Sequence, residues 1–216
     1  MNDLRWNDVR GFFDPDLMGA LPDLLVPGAS VEDWQAVLDL VEERGWKHQY
    51  SERTEALPVP PAEVVLARPA DAESAQLSVW LHAEVLAIFR FYSSDAIDFD
   101  VNLRELQGQD RLDLFCEFLS TIGRRLAKPV LMDAEGGDNA HPVLGYVVEH
   151  DRVVRLAEPF ARCDRLPAIA RLIAAGSGVV GRGFGGGASS GQRQRRGRGY
   201  ERGGGSPPGD GGSRGL

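Results

Sequence analysis

The run from Gln76 to Asn102 constrains this chain more than any other feature. Gln76–His82 alternates, with Leu77, Val79 and Leu81 on one side and Gln76, Ser78, Trp80 and His82 on the other. In Glu84–Tyr92, Val85, Ala87, Phe89 and Phe91 oppose Leu86, Ile88, Arg90 and Tyr92. Ile97, Phe99 and Val101 then alternate with Asp98, Asp100 and Asn102. Closely spaced period-two segments of this kind predict a β-meander, with one face covered and the other partly wet.

Two helical patterns flank the meander. Ser30 is a suitable N-cap, with Glu32 and Asp33 in the first turn, where negative charge suits the helix dipole. Trp34, Val37, Leu38 and Val41 follow the i, i+3, i+4, i+7 pattern and Gly45 is a stop, which predicts a helix over 31–44. Leu112, Phe115, Leu119, Ile122 and Leu126 form the second stripe, widened by Leu114 and Phe118 and ended by Lys128-Pro129. Further strands are expected at Trp46–Ser51, Glu63–Ala67 and Val130–Asp133, with a hairpin of Val143–Glu149 and Arg152–Leu156. Asp164–Ala175 reads as a last short helix with Pro167 in its first turn. The expected fold is α+β: a mostly antiparallel sheet with two main helices on one face.

Composition divides the chain. It has 216 residues and a net charge of −8, and 15 of its 26 glycines lie in residues 181–216. That stretch carries seven Arg against Glu201 and Asp210, or +5, leaving −13 for the first 180 residues. The expected organisation is an N-terminal arm over 1–29 packed on the domain, an α+β domain over 30–175, and a Gly/Arg-rich tail over 176–216. The tail has no periodicity and too little apolar surface to offset ordering entropy, so disorder is expected there. The arm is punctuated by Asp14-Pro15, Leu21-Pro22 and Pro27-Gly28 and reads as irregular, with a short helix after Pro15 and an extended piece at Asp23–Val26.

The N-terminus lacks a basic stretch followed by an apolar run, which argues against a secretory signal. The longest apolar stretch, near Leu166–Val180, is interrupted by Arg171, Gly176 and Gly178, so no membrane span is expected. Two cysteines, Cys116 and Cys163, cannot build a disulfide framework or a four-thiolate zinc site, and Cys116 reads as a small core residue. A cytoplasmic protein without a cofactor is the expectation.

Gly181-Arg182-Gly183-Phe184-Gly185-Gly186 matches a dinucleotide fingerprint in letters only, because no helix signal or downstream acid follows it. Asp98-x-Asp100-x-Asn102 resembles the opening of a calcium loop, but Leu103 and Gln109 stand where that loop needs Gly and Glu. His48, His82, His141 and His150 form no paired metal-ligand spacing. No nucleophile-elbow or phosphate-loop pattern occurs. Arg198-Gly199-Tyr200 could contact single-stranded nucleic acid, although Tyr200 and Phe184 are few aromatics for stacking.

The predicted outer sheet face carries Trp80, His82, Leu86, Ile88, Arg90, Tyr92, Asp98 and Asp100. Aromatic and Arg anchors ringed by charge are favoured at protein interfaces. Two readings stay open: a partner surface, or ordinary packing under the arm or the C-terminal hairpin.

Phe13-Asp14-Pro15-Asp16, Gly19, Leu21-Pro22-Asp23, Val31-Glu32-Asp33-Trp34-Gln35, Gly45-Trp46, Ile97-Asp98-Phe99-Asp100 and Gly123-Arg124-Arg125-Leu126 followed by Lys128-Pro129-Val130 together carry a resemblance. Over about residues 4–158 the chain resembles small proteins of high-GC actinobacteria, similar in general form to immunity proteins of bacterial polymorphic toxin systems. The resemblance implies a cytoplasmic module that occludes a cognate toxin, and it implies no catalytic residue. An acidic domain would complement a basic partner and speed its association. The expected partner-binding residues are Trp80, His82, Arg90, Tyr92, Asp98 and Asp100. The competing reading is a small metal-dependent hydrolase using Asp98, Asp100 and His82, two carboxylates and an imidazole that suit a divalent ion.

Overall fold

The computed structural model describes residues 4–69, 71–137 and 140–157. The expected tail, the helix over 164–175 and Cys163 lie outside the described residues. The helices are α1 (Trp6–Val9), α2 (Pro15–Met18), α3 (Val31–Glu43), α4 (Ala62–Leu66) and α5 (Gln109–Leu126). The strands are β1 (Asp23–Pro27), β2 (Lys47–Glu52), β3 (Glu55–Leu57), β4 (Ala75–His82), β5 (Val85–Arg90), β6 (Ala96–Val101), β7 (Val130–Asp133), β8 (Leu144–Val147) and β9 (Arg152–Arg155). They form one antiparallel sheet in the order β3-β2-β4-β5-β6-β1-β7-β8-β9. With α3 and α5 packed on one face, the architecture is α+β.

The inner face is apolar because each strand sends alternate residues to it. Phe89 and Phe99 are cross-strand partners, stacked at 4.8 Å, and Phe118 of α5 meets both edge-on at 6.2 and 5.9 Å. Burying rings of this size dominates the core's energetics, and such pairs add about 0.5–1.5 kcal/mol each beyond area. Trp34 of α3 stacks on Phe91 at 4.6 Å and donates its indole N–H to the carbonyls of Ser93 and Ala96. Ser30 caps α3 as expected, its Oγ accepting from the Asp33 N–H at 3.2 Å. Cys116 is a buried core residue. On α5, a β-carbon at Gly123 would lie 2.0 Å from the Tyr146 ring, so glycine is what lets the helix reach β8. Lys128, just past α5, bonds the Gly28 carbonyl and the Asp33 carboxylate and ties this helix end to the start of α3.

Two expectations change and one strand is added. Glu63–Ala67, read as a strand, lies in helix α4 and the turn after it. Its short apolar run suits either state; Gln35 of α3 accepts the Ala62 N–H at 2.9 Å, and Ala62 and Val65, one helical turn apart, are buried. The stretch ending at Leu57 contributes β3, hairpinned to β2, before the Pro58–Pro61 loop begins. The extended end of the N-terminal arm is a central strand: β1 pairs with β6 on one side and β7 on the other.

Candidate functional site

Neither structure expected to cover the outer face does so. β1 lies within the sheet, and β8 and β9 extend it edgewise. The outer face is therefore set by register. Antiparallel partners point the same way, so Asp100 of β6, Asp23 of β1 and Asp133 of β7 stand in one row across three adjacent strands. Asp98 lies one pleat along β6, opposite Leu25 and Arg90.

A pocket of about 250 Å³ opens here, lined by Asp23, Leu24, Arg90, Tyr92, Asp98, Phe99 and Asp100. Arg90 Nε donates to Asp100 Oδ2 at 2.6 Å, and this pair is mostly buried. Burial opposes the Arg90 charge, but the bond and charge of Asp100, with a contribution from Tyr92, raise its pKa above the ordinary value. Among the described residues, neither Asp23 nor Asp98 has a cationic partner. Burial first, then repulsion from Asp23, Asp100 and Asp95, pushes the Asp98 carboxyl upward. Burial also raises Asp23, against a 2.9 Å bond from the Gly136 N–H, and Asp100, Asp133 and Glu135 add repulsion. Asp133 is buried; its Oδ1 accepts the Ala134 N–H at 2.8 Å, and its Oδ2 lacks a hydrogen-bond partner. Tyr92 stands at the rim, 71% exposed.

Four of the six expected residues, Arg90, Tyr92, Asp98 and Asp100, therefore meet around one pocket. Trp80 shares the outer face but lies on β4, beside β5 and four residues along from the level of Arg90, between Lys47 and Leu86, with the Lys47 ammonium 4.7 Å from its ring centre. His82 is elsewhere. The β4–β5 register shifts between Trp80 and His82, which places His82 opposite the fully buried Val85. An extra residue at a bulge breaks the two-residue alternation on which its outer-face placement depended. The imidazole Nδ1 accepts from Arg111 of α5 at 2.6 Å, and Arg111 also pairs with Glu84. Arg90 pairs with Asp98 and His82 with Val85, so His82 sits five strand residues, roughly 17 Å, from the level of Asp98. The three residues of the hydrolase reading thus do not converge. Among the described residues, no group of three or more His, Cys, Asp or Glu is arranged to hold a metal ion.

Asp23 was missed from sequence because it lies in the proline-punctuated arm. Its signal was the alternation of Asp23 and Leu25 with Leu24 and Val26. No helix among the described residues is long and apolar enough to cross a membrane. Comparison with models of protein families, with curated proteins and with solved structures finds no match.

Proposed function

We propose that this protein is a non-enzymatic binding module that engages a basic protein partner through the pocket of β1, β5 and β6. The supporting observation is a charge imbalance: three aspartates line the pocket and Arg90 is paired with only one of them. Keeping Asp23 and Asp98 ionised there costs stability, and a Lys or Arg side chain entering the pocket would relieve that cost. Arg90 and Tyr92 offer the residue types that anchor interfaces. The −13 charge of residues 1–180 would steer a cationic partner toward the domain. An immunity role, with a basic toxin domain as the partner, fits this chemistry and a cytoplasmic location.

The test is co-expression of the full chain with the C-terminal domain of a toxin encoded beside its gene, followed by calorimetry on the purified pair. Tyr92→Ala and Asp98→Asn should each weaken the complex by about tenfold or more, an effect of about 1.4 kcal/mol. Equal affinity for both variants and the unaltered chain would remove the pocket from the interface.

A further inference from the structure

Next to the pocket, the outer face is apolar where a wetted sheet carries polar side chains. Val85-Leu86-Ala87-Ile88-Phe89 of β5 is an unbroken apolar run, the pattern of a strand covered on both faces. Val85, Ala87 and Phe89 are fully buried in the main core. Leu86 and Ile88 alternate with them, point to the outer face and are only half-buried. Trp80 of β4 stands opposite Leu86 and is half-buried too. The other outward residues of β4, Gln76 and Ser78, are polar, so the apolar character is confined to a ridge of Ile88, Leu86 and Trp80. The two ends of this ridge differ in charge. Ile88 stands directly opposite Asp100, which in turn stands opposite Asp23 at the pocket. At the far end the exposed Lys47 is the cross-strand partner of Trp80 and holds its ammonium over the indole ring.

We propose that this ridge seats one amphipathic helix of the partner, whose basic residue enters the pocket, whose apolar stripe covers Ile88, Leu86 and Trp80, and whose acidic residue meets Lys47. The proposal rests on the pocket reading above and adds the form and charge order of the segment that docks there. A helix follows from backbone chemistry. An extended segment joins a sheet at its edge, where backbone groups are free, whereas a sheet face offers side chains alone. A segment lying on the face must satisfy its own N–H and C=O groups, as a helix does. The dimensions agree. Lys47 lies at the level of Leu86, four strand residues from the level of Asp98, and three strand spacings across from it, a diagonal of about 20 Å. A helix of about 13 residues has that length. Its side chains at i+4 and i+7, between the two charged ends, fall over the ridge. Trp80 supplies the residue type that most often carries binding energy at such a surface. The charge order gives specificity, because a helix basic at both ends would bring a like charge onto Lys47.

The test is an amide and methyl shift titration of the full chain at low salt with stapled helical peptides of about 13 residues. The first peptide carries Arg, Leu, Leu and Glu at i, i+4, i+7 and i+11 on an alanine background, with the staple on its far face. The proposal expects the Asp23 and Asp98 amides, the Leu86 and Ile88 methyls and the Trp80 indole N–H to shift together, with one dissociation constant. Replacing both leucines by alanine should weaken binding by about fivefold or more. Lys47→Glu, a change at an exposed position, should weaken the first peptide by about threefold and strengthen by a similar factor a peptide with Arg in place of its Glu. Pocket shifts that saturate equally with the alanine peptide, while Leu86, Ile88 and Trp80 do not move, would overturn the proposal and leave the pocket reading standing. An identical response of both charge patterns to Lys47→Glu would overturn the assigned charge order. Absence of pocket shifts with every peptide and with N-acetyl-arginine amide would remove the pocket reading and this proposal with it.

Discussion

Asp23→Asn should stabilise the protein at neutral pH. Asp23 faces Asp100 across one strand pair and Asp133 across the other. Like charges directly opposite in a sheet each cost roughly 0.2–1 kcal/mol. Arg90 already offsets part of the Asp100 charge, so the gain from neutralising Asp23 is about 0.5–1 kcal/mol. Asparagine keeps an oxygen that can accept the Gly136 N–H, so little is lost in exchange. The pH dependence gives the sharper signature. Asp23 titrates above its ordinary 3.8, so above that value the native state holds more protons than the unfolded chain. Stability contributed at this position therefore falls as pH rises through the raised pKa. Urea unfolding of both proteins at pH 7 and pH 3 measures this. The variant should be more stable at pH 7, with a thermal midpoint about 1–4 °C higher. The difference should shrink toward zero at pH 3, where both states are protonated. A variant less stable at pH 7, or equally stabilised at both pH values, would refute the electrostatic reasoning.

Other substitutions separate packing from surface. Gly123→Ala should cost about 1–3 kcal/mol in urea unfolding, because the new methyl meets the Tyr146 ring at the α5–β8 contact. Ser30→Ala should cost about 1 kcal/mol in the same assay through loss of the α3 cap. Phe89→Ala, which removes a fully buried ring, should cost about 3–5 kcal/mol, whereas Tyr92→Ala at the exposed rim should stay within about 0.5 kcal/mol of the parent. In ultraviolet titration, the component missing from Tyr50→Phe should ionise at about pH 12, since burial and the bond to Glu52 raise the Tyr50 phenol. An unfolded tyrosine ionises near 10, so stability from Tyr50 falls as pH rises from about 10 to 12.

How far the sequence carried depended on how locally each feature was encoded. α3 and α5 were legible because their stripes repeat over several turns and Ser30 and Pro129 mark boundaries. β4, β5 and β6 were legible because apolar and polar residues alternate across a half-covered sheet. α4 was not, since five residues fit either period and the Gln35 carbonyl that caps it comes from another helix. The central place of β1 was hidden because partner strands distant in sequence decide it. In the pocket, Arg90, Tyr92, Asp98 and Asp100 followed from alternation along two strands. Asp23 required knowing that β1 joins β6, and His82 was misplaced by a one-residue register shift that alternation does not reveal.

The most direct test of the pocket's preference for cations is a backbone-amide shift titration of the full chain with N-acetyl-arginine amide at low salt. The predicted result is a set of shifts clustered at Asp23, Arg90, Tyr92, Asp98 and Asp100. They should weaken in Asp98→Asn and fade near 1 M salt, where the screening length is about 3 Å. Shifts spread over the acidic surface without a focus on β1, β5 and β6, or an unchanged response in Asp98→Asn, would contradict the account.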